Sequence, residues 1–346
     1  MQDERWCMRG QSKGEKDQCH IGIDLMGSDS SPDGLLSCVL DFARDMPVDV
    51  HLTLFGTAEV FSKKRKIPPQ VTFHLVEEVI SMNEPPLAAI RRKKNSSICT
   101  GIRLLKEGTL HAFISAGNTG ALMGCAKLQL PALPPVDRPS LLTLLPTQTG
   151  DLAVLDVGAN TATKAKYLVQ NAAMGAAYQR SRGIKQPRIA LLNIGSEAMK
   201  GTPELQEAYH QLEALGKKKS AGFVFHGNVE GRDVFHGGID VLVTDGFTGN
   251  VFLKTAEGIA AAILDQFENA ALEGCSSDLK KMISGMRTRL HYAEYPGALL
   301  CGVDAIVIKC HGNISSDSLT RSITTAERLI KHSFLGQIKK TLGTYK

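Results

Sequence analysis

Residues 113–124 read FISAGNTGALMG, an apolar run that stops at small residues and continues as a helix-like pattern. Glycine occupies two of the six positions between Ser115 and Gly120. Such composition predicts a strand, a tight turn and the start of a helix. Because so little side chain is present, we expect Gly117 and Gly120 to let a substrate approach the backbone closely. This strand–turn–helix unit indicates an α/β fold.

The same unit recurs along the chain. Seven apolar runs finish in Gly together with Asn, Asp, Ser or His: IDLMGSD, ISAGNTG, LDVGAN, LNIGSE, FHGNVEG, TDGFTGN and KCHGN. Unbroken Val/Ile/Leu runs that alternate with helices predict a mostly parallel sheet covered on both faces, a three-layer α/β/α arrangement. Ligands of open α/β sheets bind beyond the carboxyl ends of the strands. The seven endings are therefore predicted to converge on one cleft, unless some of them are only turns.

Composition limits the class of protein. The chain has 346 residues, 43% of them hydrophobic, and a net charge of +5 that is too small to indicate nucleic-acid binding. Eight cysteines without a CxxC pair predict reduced thiols in a cytoplasmic protein. No signal peptide or membrane span is expected. We predict one large domain over 20–335 with a helical hairpin at 256–292, a disordered extension at 1–19 and a C-terminal tail at 336–346.

Three of the endings share the spacing of an Asn with a cation four residues later. The pairs are Asn160 with Lys164, Asn228 with Arg232, and Asn250 with Lys254. If a helix begins at each Asn, the cation lies one turn along beside free backbone N–H groups, which suits a phosphate. The alternative is that these residues are helix caps and solvated basic side chains.

Several enzyme signatures are missing from the sequence, namely GxGxxG, Walker A, GxSxG and a His followed five residues later by Asp. Cys310 and His311 are adjacent, so their side chains are expected to diverge rather than form a nucleophile pair. A phosphate cradle without a protein nucleophile suggests that the phosphate itself attacks. Catalysis would then rest on positioning and on stabilisation of developing charge.

At this level of detail the chain resembles the PlsX family, phosphate:acyl-(acyl carrier protein) acyltransferases of bacterial phospholipid synthesis. The motifs, in family order, are IGIDLMGSDSSP, NEPPLAAIRRKKNSS, ISAGNTGALM, LDVGANTATKAKYLVQNAAMG, LLNIGSEAMKG, GNVEGRD, TDGFTGNVFLKTAEG and CHGN. They span about residues 20–330. The resemblance implies a fold like the isocitrate and isopropylmalate dehydrogenases and phosphotransacetylases, a homodimer, and no metal or organic cofactor. It also implies transfer of a fatty acyl group from acyl carrier protein to inorganic phosphate, for use by a membrane glycerol-phosphate acyltransferase.

The resemblance carries site residues over to matching positions. Catalytic roles are expected for Lys164, Asn228, Arg232, Asn250, Lys254 and His311. Substrate contacts are expected for Asp24, Gly27, Asp29, Ser115, Gly117, Asn118, Thr119, Gly120, Asp156, Gly158, Asn160, Asn193, Gly195, Lys200, Glu230, Gly231, Asp245, Gly246 and Gly249. The cations Lys164, Arg232 and Lys254 would hold phosphate. Asn118, Asn228 and Asn250 would orient it or donate to the thioester oxyanion. His311 would accept a proton, unless the anionic phosphate needs no general base. Departures such as Ala165 for the usual proline affect local loops.

Two segments suggest partners beyond the cleft. The basic run Arg91–Lys94 is expected to dock the acidic carrier protein, to reach the cleft, or to be a solvated helix end. Residues 279–290 form a basic amphipathic pattern, predicted to make weak peripheral membrane contact or to pack on the core or a dimer mate. Two other functions stay open: a phosphotransacetylase-like enzyme that uses acyl-CoA, and a non-catalytic regulator that binds phosphate or the carrier.

Overall fold

The computed structural model describes residues 18–272, 285 and 297–343. One mixed sheet contains the eleven described strands. The strands are β1 (Cys19–Asp24), β2 (Val50–Gly56), β3 (Val71–Leu75), β4 (Ala112–Ser115), β5 (Ser140–Pro146), β6 (Asp151–Leu155), β7 (Arg188–Leu192), β8 (Val224–Val229), β9 (Val241–Val243), β10 (Ala298–Cys301) and β11 (Ile306–Lys309). The helices are α1 (Pro32–Phe42), α2 (Ala58–Phe61), α3 (Pro86–Arg92), α4 (Ser97–Lys106), α5 (Thr119–Gln129), α6 (Ala165–Ser181), α7 (Pro203–Gly216), α8 (Gly246–Leu272), α9 (Ser316–Lys331) and α10 (Phe334–Leu342).

The sheet consists of two parallel sets joined by antiparallel strands. Its order is β3-β2-β1-β4-β11-β10-β5-β6-β9-β7-β8. Strand direction reverses between β11 and β10, again between β10 and β5, and again between β5 and β6. The set β3 to β11 therefore runs opposite to the set β6 to β8. The mostly parallel sheet is confirmed, whereas β10, only four residues long, was not among the predicted strands.

The register shows where the two sets end. One transverse row of paired residues crosses the middle of the sheet through Ile114, Ile308, Leu299, Leu142, Leu155 and Val243. Both sets finish within a residue or two of this row, but they arrive from opposite directions. Three reversals of direction separate β11 from β6, so the two sets of endings leave the sheet in opposite directions but meet at the same level of it.

Helices cover both faces of the sheet and give the predicted three layers. On one face, buried residues of α1, α6, α7, α9 and α10 form a single apolar cluster with the strands. On the other face, α3, α4, α5 and Leu253 of α8 form the second cluster. Two apolar faces on every central strand explain why the strand sequences are unbroken rather than alternating.

The packed domain extends beyond the expected limit at residue 335. Residues predicted as a tail form most of α10, in which Phe334, Ile338 and Leu342 are buried. The ring of Phe334 meets Tyr178 of α6 edge-on, with 5.8 Å between centroids. Of the predicted extension at 1–19, residues 1–17 lie outside the described residues, whereas Cys19 is buried and begins β1 because it pairs with β2. The second half of the hairpin and the 279–290 stripe also lie outside them, apart from residue 285. Within the described ranges, none of the helices has the length and apolarity to cross a membrane.

Candidate active site

Helix α8 forms the wall on which the site is built. It begins directly after β9, and the Asp245 Oδ1 atom accepts hydrogen bonds from two first-turn amides, both at 2.9 Å. The Gly246 N–H donates to the Asn160 carbonyl at 2.9 Å. A Cβ at Gly249 would overlap the carbonyl of Asp156, so only glycine lets the helix lie this close to the end of β6. The predicted glycines thus serve the approach of α8.

The Asp156 carboxylate holds the loop after β6 in place through hydrogen bonds. Its oxygens accept hydrogen bonds from the backbone N–H groups of Leu141, Gly158, Ala159 and Asn160, at 2.8–3.1 Å. The Asn160 side-chain amide adds another at 2.9 Å. The pKa of Asp156 is raised above its ordinary value, because the effect of burial exceeds that of the hydrogen bonds, which lower it. This carboxylate fixes the loop and has little acceptor capacity left for a ligand.

One face of α8 carries the polar residues of the site. Residues 250, 254 and 257 share that face, since each helical residue turns about 100°. Asn250 lies 3.9 Å from the position a Cβ would take on Gly158. The Lys254 Nζ is 2.7 Å from Glu257 Oε2 and 3.4 Å from His311 Nδ1. The His311 Nε2 lies 3.7 Å from Glu257 Oε1, which closes a Lys–Glu–His cluster.

Sequence reasoning missed Glu257. The available signal was its position three residues after Lys254, on the same helical face. A cavity of about 290 Å³ opens beside this cluster. It is lined by Glu257, His311, Gly312, Asn313, Ile314, Ser315 and Ser318, and so includes the start of α9.

The loop after β1 borders the same region. The Asp29 N–H donates to the Gly312 carbonyl at 2.9 Å, which joins this loop to the one after β11. Gly27 has a φ of 69°, and a Cβ there would lie 2.5 Å from the Ile80 carbonyl. Only glycine fits both restrictions. Asp29 therefore lies next to the CHGN ending, whereas Gly27 lies against the Ile80 carbonyl.

Ser115 and Asp24 bond to each other rather than facing an open cleft. The Ser115 hydroxyl donates to Asp24 Oδ2 at 2.7 Å and accepts from the Gly117 N–H at 3.1 Å. Both residues are buried. Burial raises the pKa of the Asp24 carboxyl to about 6, against the lowering effect of its hydrogen bonds. The direct substrate contact expected of these two side chains is not what the geometry offers, because each is enclosed by protein.

The side chain of Asn118 also forms its hydrogen bonds with other groups of the protein. Its Nδ2 lies 3.0–3.1 Å from the carbonyls of Ser81, Met82 and Glu84. Its Oδ1 accepts from the Ala121 N–H at 3.0 Å, which caps α5. The predicted start of a helix after Asn118 is confirmed. Donation from the Asn118 amide to a phosphate or oxyanion was also expected, but the geometry does not offer it. An amide has only two hydrogens, and both of them face carbonyls.

The two glycines of the opening stretch make room for protein instead of substrate. A Cβ at Gly120 would overlap Pro86, the first residue of α3. A Cβ at Gly117 would lie 3.3 Å from Ile98 and 3.4 Å from the Met26 carbonyl. Thr119 follows as the first residue of α5. The sequence correctly indicated a close approach at this loop but not its partner.

A helix was expected to begin at each asparagine of the Asn–cation pairs, but none does, and Asn250 lies within α8, four residues after its start at Gly246. Asn160 lies in a turn held by Asp156, and α6 begins at Ala165. Asn228 lies within β8, because pairing with β7 keeps it extended. The shared spacing therefore does not correspond to one shared local structure.

Two of the predicted cations are not brought to the face of α8 that carries Lys254. Arg232 is exposed and pairs with Glu230 at 3.4 Å, and the adjacent Gly231 packs against Phe252. Phe252 projects from the side of α8 opposite Asn250. Lys164 is the residue before α6 and contributes to lowering the pKa of Asp137, after larger effects of Gln170 and Lys166.

The loop after β7 is held by hydrogen bonds within itself and to strand β8. The Asn193 amide donates to the Lys200 carbonyl at 3.0 Å, and the Asn228 amide donates to the Glu197 carbonyl at 2.8 Å. A Cβ at Gly195 would lie 2.8 Å from Glu197 Oε2. The Asn228 Oδ1 is buried and has no hydrogen-bond partner among the described residues. This predicted site atom therefore keeps the capacity to accept a hydrogen bond.

Cys310 points away from the cleft. Its Sγ lies 3.2 Å from the Ser322 hydroxyl of α9, and burial raises the pKa of the thiol to about 11. A thiol of this kind is a poor nucleophile at neutral pH. The expected divergence of Cys310 and His311 is confirmed.

Sequence comparison agrees with this architecture. The family model described as "Fatty acid synthesis protein" matches residues 19–337. A phosphate acyltransferase of Desulforamulus reducens is 39% identical over 330 residues, which cover 93% of this chain and 97% of that protein. A phosphate acyltransferase of Chlamydia pneumoniae is 41% identical over 319 residues, 88% of this chain and 93% of that protein.

Solved structures share the fold at low sequence identity. A phosphotransacetylase from Streptococcus pyogenes superposes with a TM-score of 0.60 at 15% identity, covering 92% of this chain and 97% of that one. A 4-hydroxythreonine-4-phosphate dehydrogenase from Salmonella typhimurium gives a TM-score of 0.51 at 15% identity, covering 90% of this chain and 100% of that one. The predicted dehydrogenase-like fold is confirmed. The chain belongs to the fatty acid synthesis protein family, the PlsX family of phosphate acyltransferases, and is an enzyme that transfers acyl groups to phosphate.

Proposed function

We propose that the acyl donor is a fatty acyl thioester of acyl carrier protein and that phosphate attacks its carbonyl directly. A phosphate oxygen forms the new C–O bond, the C–S bond breaks, and the carrier leaves as a thiolate that takes a proton from solvent. The observation that carries this proposal is the Lys254–His311 contact of 3.4 Å beside the cavity. A cation with an imidazole at a cleft suits an anionic nucleophile and an oxyanion.

The hydrogen-bonding pattern of the cluster depends on the His311 tautomer. With its hydrogen on Nε2, a neutral His311 would accept from Lys254 at Nδ1 and direct its N–H towards Glu257. Glu257 in turn holds the Lys254 ammonium at 2.7 Å. We infer that Lys254 and His311 serve to place phosphate and to stabilise charge. A general base is not required, because phosphate is already anionic near neutral pH.

The carrier protein is proposed to dock on α3. Arg91, Arg92 and Lys94 are exposed, whereas Lys93 is bound by the Glu84 carboxylate and the Val79 carbonyl, each at 2.7 Å. Three cations of the basic run are thus available to an acidic partner. Helix α3 packs on α5, the helix that follows the SAGNTG loop. This packing on α5 supports a docking surface on the side of the sheet that carries the SAGNTG loop.

We further propose a homodimer formed through α8. An apolar stripe runs along it at intervals of four positions and spans about 80° of arc, formed by the exposed residues Ile259, Ile263 and Phe267. Such a stripe is costly in water and fits a second copy of the same helix. A cytoplasmic enzyme with weak peripheral membrane contact, delivering acyl phosphate to a membrane glycerol-phosphate acyltransferase, completes the proposal.

The decisive experiment mixes the protein with palmitoyl-(acyl carrier protein) and ³²P-phosphate. Labelled palmitoyl phosphate, separated from free phosphate by solvent extraction, is the expected product. A parallel reaction with palmitoyl-CoA tests the alternative that the protein is a phosphotransacetylase-like enzyme. Product from the CoA ester alone would overturn the choice of donor, and binding of the carrier without any product from either thioester would favour a regulator.

A further inference from the structure

Lys309 is a buried cation at the site that none of the sequence motifs assigned a role. It is the last residue of β11 and pairs in register with Ser115 of β4. Its side chain is only 8% exposed. A lysine is seldom buried without a specific reason, because desolvation of an ammonium is costly. The reason must lie in what surrounds its Nζ atom.

The Nζ of Lys309 contacts the SAGNTG loop. It donates to the Ala116 carbonyl at 3.4 Å and to the carbonyl of Cys310. On the other side of the same peptide bond, the Gly117 N–H donates to Ser115 at 3.1 Å. Ser115 is itself held by Asp24 at 2.7 Å. Lys309 therefore hydrogen-bonds to the oxygen of the Ala116–Gly117 peptide, and the Ser115–Asp24 pair holds its nitrogen through Ser115.

Charges from three other elements face Lys309. Asp24 ends β1, Asp29 lies in the following loop, and Lys254 projects from α8. Burial lowers the pKa of Lys309. Cys310, Asp24 and Asp29 act in the opposite direction, and Lys254 reinforces the lowering. An anion that enters beside Lys254 therefore also meets the field of a second ammonium.

We propose that Lys309 is a positioning residue for phosphate: it fixes the Ala116–Gly117 peptide, and hence the first turn of α5, and it adds positive charge at the floor of the site. This inference rests on the proposed attack by phosphate. It differs from the proposed role of Lys254, because Lys309 acts through the loop and through its charge, not by contact with the reacting atoms.

The test compares Lys309→Met with Lys309→Arg in steady-state turnover of palmitoyl-(acyl carrier protein) and inorganic phosphate. We expect Lys309→Met to raise the KM for phosphate by about tenfold or more and to leave the KM for the thioester within about twofold. Lys309→Arg keeps a cation and its donors, so it should recover most of the phosphate affinity. The matched control is Lys331→Met, which removes a lysine bound to Asp49 and Glu327 away from the site and should change neither KM.

The pH profile separates this role from a merely structural one. Loss of the Lys309 proton at alkaline pH should raise the KM for phosphate in the wild-type protein. The same rise should move to higher pH in Lys309→Arg, because guanidinium stays protonated. An unchanged phosphate KM in folded Lys309→Met would overturn the proposal, as would an alkaline limb that Lys309→Arg does not shift. If Lys309→Met fails to fold, the Lys309→Arg profile decides alone. Wild-type turnover, measured alongside, tests the proposed function independently.

Discussion

Lys254 and His311 come from opposite parallel sets of the sheet, yet their Nζ and Nδ1 atoms lie 3.4 Å apart. Lys254 is reached from β9 through two turns of α8, and His311 follows β11 directly. The contact exists because both sets of strands end at the same transverse row, so that α8 crosses from one set of endings to the other. Catalysis is expected to depend on this crossing.

Removal of the Lys254 ammonium tests the centre of the site. We expect Lys254→Ala to lower kcat with acyl carrier protein thioester by about 10²-fold, the usual loss when one charge-stabilising donor is removed. The control is Lys217→Ala, which removes an exposed helical lysine paired with Glu213 at 3.3 Å. Wild-type turnover and phosphate KM in Lys254→Ala would remove this residue from the mechanism.

The fit of α8 against β6 can be tested with two glycines of one helix. Gly249→Ala places a methyl group against the Asp156 carbonyl, and we expect a loss of about 1–3 kcal/mol in the free energy of unfolding from overpacking. A methyl group at Gly258 would meet no packing neighbour within 4 Å among the described residues, so Gly258→Ala should stabilise the helix by about 0.5–1 kcal/mol. Urea denaturation measures both. Equal effects of the two changes would contradict the close contact.

Docking of the carrier protein should depend on charge. We expect the double change Arg91→Glu and Arg92→Glu to raise the KM for the acyl carrier protein thioester by about tenfold at low salt, because complementary charges steer association. The KM for phosphate should not change. Lys64→Glu with Lys66→Glu alters an exposed basic run elsewhere and serves as the control. A carrier KM that resists both the charge reversal and added salt would place the docking surface elsewhere.

The apolar stripe of α8 predicts the state of assembly. Ile259→Asp with Ile263→Asp introduces charges into the stripe, and we expect a dimer to dissociate into monomers in multi-angle light scattering. Val48→Asp changes an exposed apolar residue outside α8 and should leave the mass unaltered. A wild-type protein that is monomeric at all concentrations tested would refute the dimer itself.

Half-buried histidines should lower the free energy of unfolding on mild acidification, whereas Asp24, whose pKa is raised to about 6, acts in the opposite direction. Burial lowers the pKa of His20 and of His111 below the ordinary value of 6.5, and the neighbouring rings of His111 and His51 lower that of His20 further. As pH drops below about 6.5, the unfolded chain takes up these protons before the folded protein does, so the free energy of unfolding decreases. Urea midpoints at pH 7.5 and 5.5 measure the change. His111→Asn should reduce the decrease, and a variant that loses as much stability as the wild type would exclude His111 as its source.

The individual elements of this fold follow from the sequence. Capping of α5 by Asn118, the start of α7 at Pro203 and the buried apolar strands are local consequences of side-chain chemistry and periodicity. The site was predicted at the level of its loops: the strand endings carry the motifs, and Lys254 and His311 were correctly named as candidates to be brought to one cleft. Their partner Glu257 and the buried Lys309 were not identified.

What only the tertiary structure decided is how these loops are oriented and which side chains remain available. Strand direction depends on long-range pairing, and the short strand β10 reverses it without a strong local signal. Asp24, Asn118 and Asp156 look like ligands in a motif, but their oxygens and hydrogens are used by groups distant in sequence. A sequence shows which chemical groups a loop contains. Only the folded chain shows which of those groups already have partners, because buried hydrogen bonds are satisfied by whichever neighbours the register brings within reach.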